Sequence, residues 1–258
     1  MINKKAVALA TAVWLTAAAL LPLQALADNA GNNGMYATAT TNDWHFEITP
    51  YVWTPGMTGT ITVHDHPFAV DESFNDIFKV VKFALSGLAV ANYQQWLVWT
   101  QIDYMYLNTD KLDNPPAKGN LNSKMLFWTL GGGYRFPLWA DGQTLDVLIG
   151  EQGLDMKNTI TAYNIGSIEN TQDIIDTVLI LRPSFQLTKQ LRFNPTLSYG
   201  AGDSEDTYQI QPQLQYQFTD RLEARIGYRK LHYTVKGDRN NQLDINVAGP
   251  FIGFGWTF

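Results

Sequence analysis

Two histidines in one short turn are spaced so that they could bind a metal ion. His64 and His66 flank Asp65, and side chains two residues apart on an extended strand lie on the same face. Both imidazoles could therefore reach one ion, as histidines do in zinc sites. No third ligand is evident from the sequence, and His and Asp commonly occur in turns without a metal. We expect no metal and no other cofactor.

A histidine near the far end of a predicted strand is the second candidate for chemistry. His232 follows an apolar, alternating segment and would lie where an enzyme acting on membrane lipids needs a general base. The sequence contains no G-x-S-x-G motif around any of its serines, which is the signature of a common serine nucleophile. We expect no catalytic residue. A lipid-modifying hydrolase that uses His232 or the His64/His66 turn is the alternative.

Charged and amide side chains form the third and largest group, because they alternate with apolar residues. If the alternating segments are strands of a membrane barrel, as argued below, their apolar faces meet lipid. A charge facing lipid at mid-bilayer costs about 2–4 kcal/mol for Arg or Lys, so these side chains are expected to point into the barrel. They could fill a narrow lumen as paired networks or line a selective pore. Filling is favoured because small barrels have little free interior. Asp146 is expected to join the candidates for lining the lumen or pore, which are Asp103, Arg135, Asp176, Arg182, Arg192, Gln209, Gln211, Gln213, Gln215, Glu223, Arg225 and Arg229.

The elements that position these side chains have a period of two residues. Residues 208–218 (YQIQPQLQYQF) alternate five glutamines with apolar or aromatic residues, over roughly the length that a tilted strand needs to cross a bilayer. Pro212 cannot donate to the ladder and is expected at a bulge. Strands are predicted near 44–53, 83–92, 95–107, 123–136, 143–152, 174–187, 190–201, 206–218, 221–235 and 243–258.

Connection lengths indicate an all-β, antiparallel transmembrane barrel of about ten strands. Short turns alternate with long polar stretches at 108–122 and 153–172, as they do between the periplasmic and outer ends of such barrels. Residues 54–72 are interpreted as a hairpin flap turning at 64–67, and the count becomes twelve if this hairpin joins the wall. Residues 73–82 predict a short amphipathic helix with Ser73 as its N-cap.

The beginning of the chain is typical of an exported protein. Residues 1–27 combine Lys4 and Lys5, an apolar stretch and an A-x-A ending, which predicts a cleavable signal peptide. Residues 28–43 are polar and rich in Gly and Asn, and we expect a disordered periplasmic leader. Residues 44–258 would form the barrel. Cleavage removes two lysines and no acid, so the formal charge changes from −6 to −8. Nucleic-acid binding is not expected from this balance.

Several segments carry a family resemblance. ITPYVWTPGMTGTITV, VDESFNDIFKVVKFAL, RLEARIGYRKLHYTV and the aromatic C-terminal strand resemble uncharacterised proteobacterial outer-membrane β-barrel proteins of the porin-like superfamily. The resemblance covers most of residues 44–258 and implies location in the outer membrane but no reaction. The partners it implies are outer-membrane lipid, the barrel-assembly machinery and periplasmic chaperones. The C-terminal strand resembles the assembly signal of such barrels, here Phe254, Trp256 and Phe258.

Three functions remain open at this point. The first is a non-enzymatic barrel, either a narrow pore for small polar solutes or a structural component of the membrane. The second is the lipid-modifying hydrolase, and the third is a surface protein that binds a partner through residues 108–122 and 153–173. The sequence does not determine the oligomeric state.

Overall fold

The computed structural model describes residues 43–63, 65–112, 119–138, 142–162, 166–237 and 241–258. The predicted signal peptide (1–27) and the predicted leader up to residue 42 lie outside these residues, as does His64. Their assignments stay predictions. Among the described residues, no helix has the length and hydropathy needed to cross a bilayer.

The described residues form fourteen strand segments and one short helix. In chain order they are β1 (Trp44–Trp53), β2 (Gly56–Val63), β3 (His66–Glu72), α1 (Phe74–Val80), β4 (Val81–Tyr93), β5 (Trp96–Leu112), β6 (Gly119–Pro137), β7 (Thr144–Ala162), β8 (Gly166–Gln186), β9 (Leu191–Phe193), β10 (Thr196–Gly202), β11 (Asp206–Gln211), β12 (Gln213–Gln217), β13 (Leu222–Gly237) and β14 (Asn241–Thr257).

These segments make a closed, antiparallel barrel of ten strands, as predicted. The first and last strands close the wall, with Glu47 opposite Thr257 and Trp53 opposite Phe251. Two wall strands are each interrupted by a proline, which has no N–H for the ladder. One break lies at Asn194–Pro195 between β9 and β10, and the other at Pro212 between β11 and β12. The fourteen segments therefore reduce to ten wall strands and one additional hairpin.

That hairpin is the flap predicted from residues 54–72. β2 continues the first wall strand and pairs with β14, whereas the ladder partner of β3 is β2. Helix α1 follows, and Ser73 is its N-cap. The Ser73 hydroxyl donates to the Asp76 carboxylate at 2.5 Å. This bond, and then Lys79, lower the pKa of Asp76.

The predicted long polar loops are wrong in extent. The β5–β6 ladder continues to Leu112 opposite Gly119, and the β7–β8 ladder continues to Ala162 opposite Gly166. The β5–β6 extension is polar on both faces, whereas the β7–β8 extension has Leu154 and Met156 on its inward face and polar residues on its outward face. The outward apolar residues that mark a lipid-facing strand are therefore missing, although the backbone ladder persists. Hydrogen bonding between neighbouring strands requires no apolar face.

The two faces of the wall differ sharply. Large apolar side chains are exposed at alternating outward positions, among them Ile48, Val52, Leu85, Ile102, Ile149, Leu179, Ile210, Ile226 and Ile252. We call the end with the turns at 94–95, 187–190 and 218–221, where Trp44 and Phe258 also lie, the short-turn end, and the opposite end the long-hairpin end. Exposed aromatic residues collect at the short-turn end, namely Trp44, Trp96, Phe136, Phe218, Trp256 and Phe258.

The inward face changes character along the barrel. Charged and amide side chains predominate from the short-turn end to mid-barrel. Further toward the long-hairpin end lies a set of buried, mainly apolar side chains, which we call the apolar layer: Trp53, Phe127, Leu154, Ile174, Tyr233 and Ile245. The interior nearer the short-turn end therefore mixes charged and amide side chains with apolar ones such as Leu97 and Leu148, whereas the apolar layer beyond mid-barrel is mainly apolar.

Candidate functional site

A charge pair bridges the lumen between strands that are not neighbours in the wall. Arg229 on β13 donates to the carboxylate of Asp103 on β5, and β14, β1 and β4 separate these two strands. Arg229 also donates to Gln209 Oε1 at 3.1 and 3.2 Å, and its guanidinium lies 5.0 Å from the ring centroid of Trp53. Asp103 and Arg229 are both 0% exposed, so water does not reach them.

Asp103 has further hydrogen-bond donors on its own side of the lumen. The Tyr51 hydroxyl donates to Asp103 Oδ1 at 2.6 Å, and Gln101 Nε2 donates to that hydroxyl oxygen at 2.8 Å. A buried carboxylate is stable only when it is paired and hydrogen-bonded. This arrangement, which we call the mid-barrel bridge (Tyr51, Gln101, Asp103, Gln209 and Arg229), meets that condition.

A second network lies closer to the short-turn end. Arg225 is 2.5 Å from Glu47 Oε1 and donates to Glu223 Oε1 at 2.6 Å. Gln215 donates to the other oxygen of Glu223, and Asn194 donates to Gln215 Oε1 at 2.9 Å. One buried guanidinium therefore joins two carboxylates from different strands.

A third network occupies the opposite part of the wall. Arg135 binds Asp146 through two parallel hydrogen bonds of 2.6 and 2.9 Å, the fork geometry that makes Arg–carboxylate pairs strong. Arg182 approaches the same carboxylate at 3.5 Å and lies 5.2 Å from the ring centroid of Trp99. Arg192, which is half-buried, donates to the Gly142 carbonyl at 2.9 Å.

The remaining predicted lumen residues are also buried. Asp176 accepts from the Ser204 backbone N–H at 2.8 Å, and Gln209 donates to Gln211 at 3.0 Å. Gln213 is 2% exposed, and its amide makes no hydrogen bond within the described chain. All twelve candidates except Arg192 are buried. That they line a pore stays a prediction.

Sequence reasoning missed several partners of these residues. Glu47, Tyr51 and Gln101 complete the networks, yet none was among the candidates. A signal for two of them was present, because Glu47 and Tyr51 share one face of β1 at positions four apart. Trp53 and Trp99, which pack against arginines, have no comparable signal beyond their alternation.

His232 lies outside the lumen, on the outward face of β13. Its Nε2 is 3.0 Å from Thr234 Oγ1 and its Nδ1 is 3.2 Å from Asn246 Oδ1. The ring stacks on Tyr208, with centroids 4.6 Å apart. Two carboxylates face the same ring, Asp206 at 3.7 Å from Nε2 and Asp244 at 3.9 Å from Nδ1.

The other histidines have simpler surroundings. His45 lies 3.3 Å from the Asp43 carbonyl oxygen, and His66 is exposed. Within the described part of the chain, no group of three or more His, Cys, Asp or Glu residues is arranged to hold a metal ion.

Comparison with known proteins supports the fold and gives no family. No family model and no curated protein matches this chain, so the resemblance drawn from its segments stays a prediction. Among solved structures, the outer membrane protease OmpT from Escherichia coli is 10% identical, with 85% of this chain and 98% of OmpT covered and a TM-score of 0.57.

Two further structures match with lower scores. The translocator domain of autotransporter NalP from Neisseria meningitidis is 11% identical, with coverage of 97% of this chain and 98% of that one, at a TM-score of 0.42. Ail from Yersinia pestis is 11% identical, with coverage of 84% and 100%, at a TM-score of 0.35. The chain has the fold of outer-membrane β-barrel proteins.

Proposed function

We propose that this protein is a closed outer-membrane barrel, a structural component of that membrane that does not conduct solutes. The observation that carries the proposal is the mid-barrel bridge, in which Asp103 and Arg229 meet across the lumen with no exposed surface. An open polar pore requires a continuous water-filled path between such residues.

The apolar layer is a second observation that supports a closed lumen. Phe127 and Tyr233 are 0% exposed and Trp53 is 6% exposed, on the long-hairpin side of the ionic networks. An ion that passed the bridge would next have to lose its hydration among apolar side chains, which is how hydrophobic constrictions block pores. Two different barriers therefore act in series.

Placement in the outer membrane rests on the outward face. Its exposed apolar band, with aromatic residues at the short-turn end, is what barrels present to lipid and to its interfaces. Phe254, Trp256 and Phe258 are each more than half exposed on that face. We propose that they contact the assembly machinery before insertion and lipid afterwards.

Single-channel recording tests this proposal. The full-length gene is expressed, the protein is extracted from outer membranes into detergent, and its folding is verified by heat-modifiable gel mobility. We expect no openings in a planar bilayer. Steady openings whose ion selectivity shifts in an Arg225→Ala/Arg229→Ala variant would overturn the closed-lumen proposal. An outward Lys124→Ala/Lys157→Ala variant removes the same number of positive charges and serves as the matched control.

A further inference from the structure

A group of outward side chains on three strands surrounds His232, and we call it the outer-wall cluster. Lys230, His232 and Thr234 follow one another along one face of β13. Asp206 and Tyr208 approach from β11, and Asp244 and Asn246 approach from β14. This cluster is separate from the lumen networks, because alternate residues of β13, such as Leu231 and Tyr233, point inward and are buried.

We propose that Thr234 and His232 form the nucleophile and general base of an ester-hydrolysing site on the outer wall. A nucleophile activated in this way needs a base within hydrogen-bond reach and a third group that orients the base. Thr234 Oγ1 lies 3.0 Å from His232 Nε2, and Asn246 Oδ1 lies 3.2 Å from Nδ1 on the other side of the ring.

The hydrogen bond to Asn246 determines which nitrogen is basic. Because Asn246 Oδ1 is an acceptor, Nδ1 carries the proton and donates to it. The lone pair of the neutral ring is then on Nε2, directed at the Thr234 hydroxyl. The carboxylates of Asp206 and Asp244, within 4 Å of the ring nitrogens, stabilise the imidazolium that forms when Nε2 accepts the proton. Stacking on Tyr208 holds the plane of the ring.

The position of the cluster along the wall indicates the substrate class. On the outward face of β13, Leu222, Ala224, Ile226 and Tyr228 give way to Lys230, His232 and Thr234, and on β14, Ile252, Pro250 and Ala248 give way to Asn246 and Asp244. In a membrane this change marks the level where acyl chains meet headgroups. The substrate class is therefore an acyl ester of a lipid in the outer leaflet, and this assignment rests on the proposed placement in that membrane.

Lys230 adds a positive charge to the same face. Its ammonium group lies 5.6 Å from the ring centroid of Tyr208, the ring on which His232 stacks. A cation at headgroup level attracts the phosphate of an anionic lipid. Lys230 is thus a positioning residue for the headgroup, whereas Thr234 and His232 act on the ester bond.

The reaction is a hydrolysis in two halves. Thr234 Oγ attacks the ester carbonyl carbon while its proton passes to His232 Nε2, and collapse of the tetrahedral intermediate breaks the bond to the alcohol oxygen, which takes that proton. Water then attacks the acyl-threonine, again giving a proton to His232. The Thr234 oxygen leaves with that proton, so one ester and one water become one carboxylic acid and one alcohol.

The test uses protein extracted from outer membranes and two probes, p-nitrophenyl esters of short and long acyl chains in detergent micelles and a biotinylated fluorophosphonate. We expect hydrolysis that favours the long-chain ester and a fluorophosphonate adduct on the peptide containing Thr234. The isosteric T234V variant is expected to lose the adduct and, like H232N, about 100-fold of the rate, since general-base catalysis contributes at least that much. T234S should retain hydrolysis. Outward Thr177 on β8 provides the matched control, T177V, which should behave as wild type.

The outcomes separate catalysis from a structural role. A structural role predicts that wild type and T234V, both folded by gel mobility, are equally unreactive or equally reactive, and either result overturns the site. Hydrolysis that is lost in T234V but lacks preference for the long-chain ester overturns the lipid assignment. These results are independent of the conductance recording, so failure of the closed-lumen proposal is recognised separately.

Discussion

Removal of the Arg229 side chain is the most direct test of how the barrel interior is held together. In an Arg229→Ala variant, the Tyr51 hydroxyl is the one side-chain donor among the described residues that still hydrogen-bonds to the Asp103 carboxylate. Both partners of the lost ion pair have 0% exposure, so water cannot replace the guanidinium without entering the core. The packing of Arg229 on Trp53 is lost as well.

The expected loss follows from burial. Breaking a buried ion pair by removing one partner typically costs about 3–5 kcal/mol, because it leaves a charge uncompensated. Asp103→Asn alone should cost a similar amount, because it leaves the Arg229 guanidinium buried without its carboxylate partner. The Asp103→Asn/Arg229→Ala double variant should lose clearly less than the sum of the single losses, because it leaves no isolated charge.

Equilibrium unfolding in urea, in detergent micelles and followed by tryptophan fluorescence, measures these free energies. The control is Lys236→Ala, on the same strand as Arg229. It removes an ion pair of 2.6 Å to Glu205, in the turn before β11, and both side chains of this pair are about half exposed. We expect this control to change the free energy of unfolding by about 0–1 kcal/mol. If Arg229→Ala costs no more than Lys236→Ala, or if the cycle is additive, the mid-barrel bridge does not stabilise the fold as argued.

Two further predictions concern the wall and the helix. An added Cβ at Gly133 would lie 2.0 Å from the Val147 carbonyl oxygen, so Gly133→Ala should cost about 1–3 kcal/mol in the same urea titration, whereas Gly132→Ala, with room for a methyl group, should be tolerated. Ser73→Ala should speed amide exchange in α1 about fivefold, the equivalent of losing a typical N-cap. Since the pKa of Asp76 is lowered, its contribution to the cap is present above the ordinary aspartate pKa and disappears as the pH falls through the lowered value. Protection factors in α1, corrected for the intrinsic pH dependence of amide exchange, that stay constant on this acidification would contradict the contribution of Asp76 to the cap.

The alternation of side chains was readable from the sequence where the two faces differ in polarity. The glutamines of 208–218 predicted a wall strand whose inward residues the structure buries. The hairpin ends around 108–122 and 153–172 were not recognised as strands, because their outward faces are polar. Their strand character comes from pairing with neighbours, which a single segment does not reveal.

The hydrogen-bond and ion-pair partners of the inward side chains were less predictable than the face of the strand on which each side chain lies. Asp103 and Arg229 could each be assigned to the inward face, but 126 residues separate them, and closure of the barrel is what brings them together. The outer-wall cluster contains one relation that is local in the sequence and several that depend on strand pairing. Thr234 lies two residues from His232 on the same face, a local relation, whereas Asp206, Tyr208 and Asn246 reach the imidazole through the registers of β11 and β14.

The sequence by itself determined the fold class, the approximate number of wall strands, the flap, the capped helix and the face of each side chain in strands whose two faces differ in polarity. These properties are local, since a strand alternates its side chains whatever it pairs with. The tertiary structure alone decided that the inward charges meet across the lumen, that an apolar layer lies beyond them, and that Asn246 orients His232 toward Thr234. Those contacts depend on register and closure, which bring together residues that no local pattern relates.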